Sequence, residues 1–145
     1  MTIRRFEDLE CWQLARELTK QAYATSGRGL FAKDYELRGQ IRAAAGSSMH
    51  NCAEGFDAGT NPEFIRFLRI AQRSCSEVRS ELYVAVDQSY VTQAEFDALY
   101  ALATRVHNAI GGLIRYLKSS EKPASVQGAR KVPQPRTKNE EPTNL

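Results

Sequence analysis

Hydrophobic positions recur every three or four residues along most of this chain. The cleanest run lies in the middle, where Phe64, Leu68, Ala71, Cys75, Val78, Leu82 and Ala85 alternate steps of four and three. That spacing places all seven on one stripe of a helix. Phe67 and Ile70 widen the stripe beyond the narrow seam of a simple coiled coil, so this helix is expected to bury itself against more than one partner. Its start is marked by Thr60 or Asn61 as cap, by Pro62 where a missing amide costs nothing, and by Glu63 at the positive end of the dipole. The pattern predicts a helix to about Asp87.

Three more segments carry the same period. Leu9, Trp12, Ala15, Leu18 and Ala22 share a face with Tyr23 beside them, while Arg16, Glu17 and Lys20 point away. Asp8 is the expected cap of this first helix. Ser26-Gly27-Arg28-Gly29 ends it, because glycine permits the left-handed backbone of a helix terminus. The connector LFAKDYE follows, and Leu30 and Phe31 are expected to tuck against the bundle. A second helix is predicted from Asp34 to about Glu54 on a thin stripe of Leu37, Ile41, Ala44, Ser48 and Cys52, with Gly55 as its C-terminal glycine. Its run from Ala43 to Ser48 has little side-chain volume. Gly46 costs about 1 kcal/mol of helix propensity relative to alanine, which points to a close packing contact there. Thr92 and Glu95 form a capping box that opens a fourth helix. Phe96, Leu99, Ala103, Val106, Ile110, Leu113 and Leu117 give its stripe, joined by Leu102 and Ile114, and Gly111-Gly112 predicts a close crossing or slight bend. From Ser119 the pattern stops, and the remainder holds four of the five prolines and no aromatic residue. These features predict an all-α fold: an antiparallel up-down-up-down four-helix bundle over residues 1–118, followed by a disordered basic tail over 119–145.

Composition narrows the class. A chain of 145 residues is one domain by size. Its three cysteines, Cys11, Cys52 and Cys75, fall at semi-apolar helical positions and read as small buried side chains in a reducing cytoplasm. The opening MTIRRFEDLE lacks the apolar run of a signal peptide, and no apolar run approaches the ~20 residues that span a bilayer. A cytoplasmic protein with no membrane partner is therefore expected. The net charge of +3 divides unevenly: residues 1–118 hold 15 Lys and Arg against 14 Asp and Glu, and the tail holds 5 against 3. A pI near 8.8 permits nucleic-acid binding without demanding it.

Catalytic chemistry has little to stand on. His50 and His107 lie on different helices, and neither follows a Glu by three, so the paired ligands of di-iron bundles are missing. No CxxC, HExxH or glycine-rich phosphate loop is present. No enzyme activity, metal or cofactor is expected. Two other groupings remain. Gln40, Ser47, Asn51 and Glu54 form a polar stripe on the second helix, and Ser74 and Glu77, with Glu81, form an edge on the third. They read as a hydrogen-bonded seam fixing helix register or a subunit contact, or else as a ligand pocket. Arg66, Arg69 and Arg73 line one side of the third helix, and Arg38 and Arg42 stand one turn apart on the second. Such rows suit nucleic-acid phosphates, although Glu63 and Glu77 stand at ion-pairing distance along the helix. Arg130, Lys131, Arg136 and Lys138 add a diffuse attraction. No aromatic is interleaved with either arginine group, so base stacking is not expected.

Three blocks, FEDLECWQLA, QIRAAAGSSMHNCAEG and EFIRFLRIAQRSCSEVRSEL, carry a resemblance. The chain resembles the bacterial four-helix bundles known as 23S ribosomal RNA intervening-sequence proteins, whose superfamily includes the accessory proteins of diversity-generating retroelements. The likeness spans roughly residues 5–118. The shared motif falls on Gln40, Ser47, Asn51, Glu54 and Gly55, then on Phe64, Phe67, Leu68, Ala71, Ser74 and Glu77. The chain departs from the pattern at Ala43, where a basic residue is common, at Gly46 and Met49, and at Arg73, where glycine is frequent. The resemblance implies a homo-oligomeric ring, typically a homopentamer, without enzymatic activity. In the retroelement branch it also implies a basic surface that engages nucleic acid and a reverse transcriptase. The resulting expectation is an oligomeric accessory protein that contacts RNA or DNA phosphates through its arginine faces. The rival is a protein–protein scaffold, including a reverse-transcriptase accessory subunit, whose charges are merely solvated.

Overall fold

The computed structural model describes residues 2–120 and 130–131. Four helices dominate it: α1 (Glu10–Ser26), α2 (Tyr35–Asp57), α3 (Asn61–Asp87) and α4 (Gln93–Ser119). Each packs against its sequence neighbours, and α1 closes against α4, giving an all-α four-helix bundle. A 3-10 turn over Phe6–Asp8 precedes α1, and another over Phe31–Lys33 lies between α1 and α2. Two two-residue strands, β1 (Thr2–Ile3) and β2 (Arg130–Lys131), pair antiparallel. The expected tail otherwise lies outside the described residues, as do Arg136 and Lys138.

The apolar stripes are the core. All seven heptad residues of α3, from Phe64 to Ala85, are buried, as are the nine positions from Phe96 to Leu117 read on α4. Contacts between α2 and α3 run in opposite order along the two helices, Ser47 meeting Ser74 while Gly55 meets Phe64 and Phe67. The α3–α4 contacts do likewise. The Asn61 amide donates to the carbonyl oxygen of Leu117 (3.4 Å), the Gln72 amide to that of His107 (3.3 Å), and the Tyr83 ring meets Phe96.

Side-chain caps open three of the four helices. Thr60 Oγ1 accepts from the Glu63 amide, and Thr92 and Glu95 complete both halves of the capping box. Asp34 accepts from the Leu37 amide and so caps α2. Asp8 does not cap α1. Its carboxylate and that of Glu7 instead face Arg5 (3.5 and 3.6 Å), and the helix starts behind Leu9 without a side-chain cap.

Glycines and small residues bring further corrections. Gly27 ends α1 at φ −89°, and the left-handed residue is Gly29 (φ +54°). Gly55 is not a terminus; α2 continues to Asp57. A Cβ there would sit 2.9 Å from Phe64 Cδ1 and 3.2 Å from the Phe64 carbonyl oxygen, so glycine is what lets α3 cross. Gly46, the expected contact, is buried, but a Cβ there would have only the ring of His50, on the same helix, within 4 Å (3.6 Å). At Gly111 a Cβ would lie 3.2 Å from Gln72 Nε2, the tip of a side chain from α3, and α4 runs through the glycine unbroken. Phe31 is buried and stacks on Tyr90 (5.4 Å), whereas Leu30 stands 64% exposed.

Candidate nucleic-acid interface

The steps of three and four that bury the heptad of α3 also carry Arg66, Arg69 and Arg73 along one exposed side of it. Arg66 Nη2 pairs with Glu63 Oε2 (3.2 Å), and its guanidinium lies 4.5 Å from the Phe67 ring centroid. Among the described residues, neither Arg69 nor Arg73 has a carboxylate within ion-pairing distance. Glu77, placed by sequence to neutralise Arg73, does not reach it.

Arg38 and Arg42 sit differently. Both are half-buried, near the α1–α2 connection. Arg38 Nη1 donates to the Ala32 carbonyl oxygen (2.8 Å), and its guanidinium lies 4.8 Å over the Tyr35 ring. Arg42 Nε donates to Ser26 Oγ (2.9 Å) and Nη2 to the Tyr23 carbonyl oxygen (3.3 Å), with the guanidinium 4.5 Å over the Tyr23 ring. Because α2 and α3 are read in opposite order, these two arginines lie toward the far end from Arg66. The five arginines form two patches rather than one.

Aromatic rings therefore do accompany the arginines, contrary to the sequence expectation. The Tyr35–Arg38 pair was legible at a spacing of three on α2. Tyr23 belongs to another helix, and no spacing announces it.

The polar stripe closes only in its middle. Ser74 donates to Ser47 Oγ (2.8 Å), and the Asn51 amide donates to the carbonyl oxygen (2.9 Å) and hydroxyl (3.1 Å) of Ser47. Gln40, Glu54 and Glu77 stay exposed. The seam meets where side chains are smallest, and the longer members lie at its margin, where their polar ends remain in water. Glu81 is half-buried, and its Oε2 is enclosed without a hydrogen-bond partner among the described residues. Burial, with Glu77 nearby, pushes its carboxyl up to about 7.

The thiols lie inside the bundle. Cys11, Cys52 and Cys75 are buried and unpaired, contact with Cys11 and burial raise the Cys52 thiol, and burial pushes Cys75 up to about 12. His50 is exposed and His107 half-buried, on separate helices. Among the described residues no group of three or more His, Cys, Asp or Glu is placed to hold a metal, and no helix is long and apolar enough to cross a membrane.

Comparison with known proteins agrees with this architecture. No curated protein matches the sequence. Among solved structures, a protein of unknown function from the S23 ribosomal protein family of Bacteroides thetaiotaomicron superposes with a TM-score of 0.67 at 18% identity, covering 72% of this chain and 98% of that one. At that identity the likeness speaks for the fold. The family model of the 23S rRNA-intervening sequence protein matches residues 7–112, from the turn before α1 into α4. With so much of the bundle matched, the chain belongs to the 23S rRNA-intervening sequence protein family.

Proposed function

We propose that this protein is a non-enzymatic, cytoplasmic nucleic-acid-binding or ribonucleoprotein accessory protein that contacts RNA or DNA phosphates through the arginine side of α3. One observation carries the reading: Arg69 and Arg73 project into solvent in line with Arg66, without carboxylate partners among the described residues. Unneutralised cations at helical spacing attract a polyanion by releasing its counterions. The four helices are read as alternating up-down-up-down, in keeping with the opposite contact order of successive helices. The working unit is read as a homopentameric ring, as the family resemblance implies.

The test is an RNA titration at low and moderate salt. Affinity is expected to fall steeply with salt. Arg66, Arg69 and Arg73 changed together to Gln are expected to lower the slope of log affinity against log salt by about 2–3, with helicity kept. Equal affinity in the triple variant would move the site elsewhere, and no binding at low salt would reject the reading. Light scattering that returns a 16.3 kDa monomer at micromolar concentration would reject the ring.

A second reading, a protein–protein scaffold such as a reverse-transcriptase accessory subunit, is favoured by Tyr83 and Val84. Both stand about half exposed near the end of α3. Retention of a purified partner by the triple arginine variant, without RNA binding by the wild type, would select it.

A further inference from the structure

The α1–α2 end of the bundle carries a second patch that the α3 arginines do not explain. Tyr35, Arg38 and Arg42 fall at i, i+3 and i+7 of α2, so they share one side of the helix. Tyr23 joins from α1 through its contact with Arg42. Two ring–cation pairs stand here: Arg38 over Tyr35 at 4.8 Å and Arg42 over Tyr23 at 4.5 Å. Tyr35 is 72% exposed and Tyr23 is 50% exposed. Tyrosines that open to water are available for contact, and each is backed on one side by a cation.

Both arginines are held in place by neutral acceptors, two carbonyls and a hydroxyl, and not by carboxylates. Their positions are set, and among the described residues no carboxylate pairs with either. The nearby acids are accounted for separately. Asp34 caps Leu37 and accepts from the Tyr90 hydroxyl (3.0 Å), Glu95 pairs with Arg28 (2.8 Å), and Glu36 remains as the one exposed acid lining the open groove beside Leu30, Lys33 and Tyr35. The face from Tyr35 to Arg42 extends about 10 Å along the helix axis. Each ring has one face covered by a guanidinium, and a base would stack on the other.

We infer that this patch binds single-stranded nucleic acid by stacking unpaired bases on Tyr35 and Tyr23 beside the phosphate-attracting Arg38 and Arg42. The inference rests on the nucleic-acid reading above and adds the form of the ligand. Ring faces and guanidinium planes take up base faces regardless of sequence, and a duplex does not offer those faces. The α3 row, by contrast, contacts only phosphates and accepts either form.

Fluorescence anisotropy on the full chain, with a labelled oligoadenylate and an RNA duplex of equal length, separates the two. The single strand is expected to bind more tightly. Tyr35→Ser and Tyr23→Ser are each expected to weaken it about tenfold or more while leaving the duplex unchanged. Tyr35→Phe, which keeps the ring, is expected to bind like the wild type, and the Phe and Ser variants compared by circular dichroism distinguish lost stacking from lost folding. Wild-type affinity of the folded Tyr35→Ser and Tyr23→Ser variants for the single strand would overturn the stacking site, while duplex binding would leave the α3 reading in place. Failure of both RNAs to bind would overturn both and leave the patch to a protein partner.

Discussion

The guanidinium of Arg42 lies 4.5 Å over the Tyr23 ring, and its Nε donates to Ser26, whose hydroxyl is wholly buried at the end of α1. One side chain of α2 thereby ties itself to the last turn of α1. Arg42→Ala removes the donor to a buried hydroxyl along with the ring contact. The expected loss is about 1–2 kcal/mol, read as a lower urea midpoint at unchanged slope. Arg42→Lys is expected to restore only part of it, because an ammonium lacks the flat face and the fork of donors.

Two glycines of α2 are expected to respond with opposite sign. Gly55→Ala places a methyl 2.9 Å from Phe64 Cδ1 and 3.0 Å from Phe67 Cβ, so α3 must shift; we expect about 1–3 kcal/mol of destabilisation. Gly39→Ala meets nothing within 4 Å on an exposed turn and is expected to stabilise by about 0.5–1 kcal/mol. Thermal melts of the two variants, moving in opposite directions, check the account.

Glu81 makes stability depend on pH. Burial and the neighbouring Glu77 hold its carboxyl near 7 in the folded protein, above its ordinary 4.5. Between those values the folded chain keeps a proton that the unfolded chain has lost. Its contribution is therefore full below about 4.5, falls as pH rises to about 7, and levels off above. Glu81→Gln is expected to flatten that fall and to raise stability at pH 8, as urea titrations across the range would record. An unchanged pH profile would remove Glu81 as its source.

The heptad sets the scale of the core. Leu68 and Ile110 are wholly buried, so Leu68→Ala or Ile110→Ala is expected to cost about 2–5 kcal/mol. That is a large part of the roughly 5–15 kcal/mol of a typical domain. Loss of less than 1 kcal/mol in urea melts would mean that the site collapses around the gap.

Legibility followed the range of the interaction. The stripe from Phe64 to Ala85 and the Thr92–Glu95 box are made of residues a few positions apart, and both were read correctly. Gly55 was misread as a helix end, because a C-terminal glycine and a glycine under a crossing helix look alike until Phe64 and Phe67 are in place. The polar stripe was half legible. Its helical spacing was right, but only Ser47, Asn51 and Ser74 come together, since that depends on where α2 and α3 approach most closely. The arginine rows were legible as rows, and their pairing was not: Glu63 reaches Arg66, whereas Glu77 does not reach Arg73.

By itself the sequence determined four helices, their apolar faces and the caps that open α3 and α4, because helical periodicity and capping are local properties of the backbone. The tertiary structure alone decided what surrounds each cation. Arg42 meets the carbonyl oxygen and ring of Tyr23 across nineteen residues of chain, and it does so because α1 and α2 pack side by side. A contact set by how two helices pack has no counterpart in spacing, which is why the aromatic side of the arginine surface emerged only with the fold.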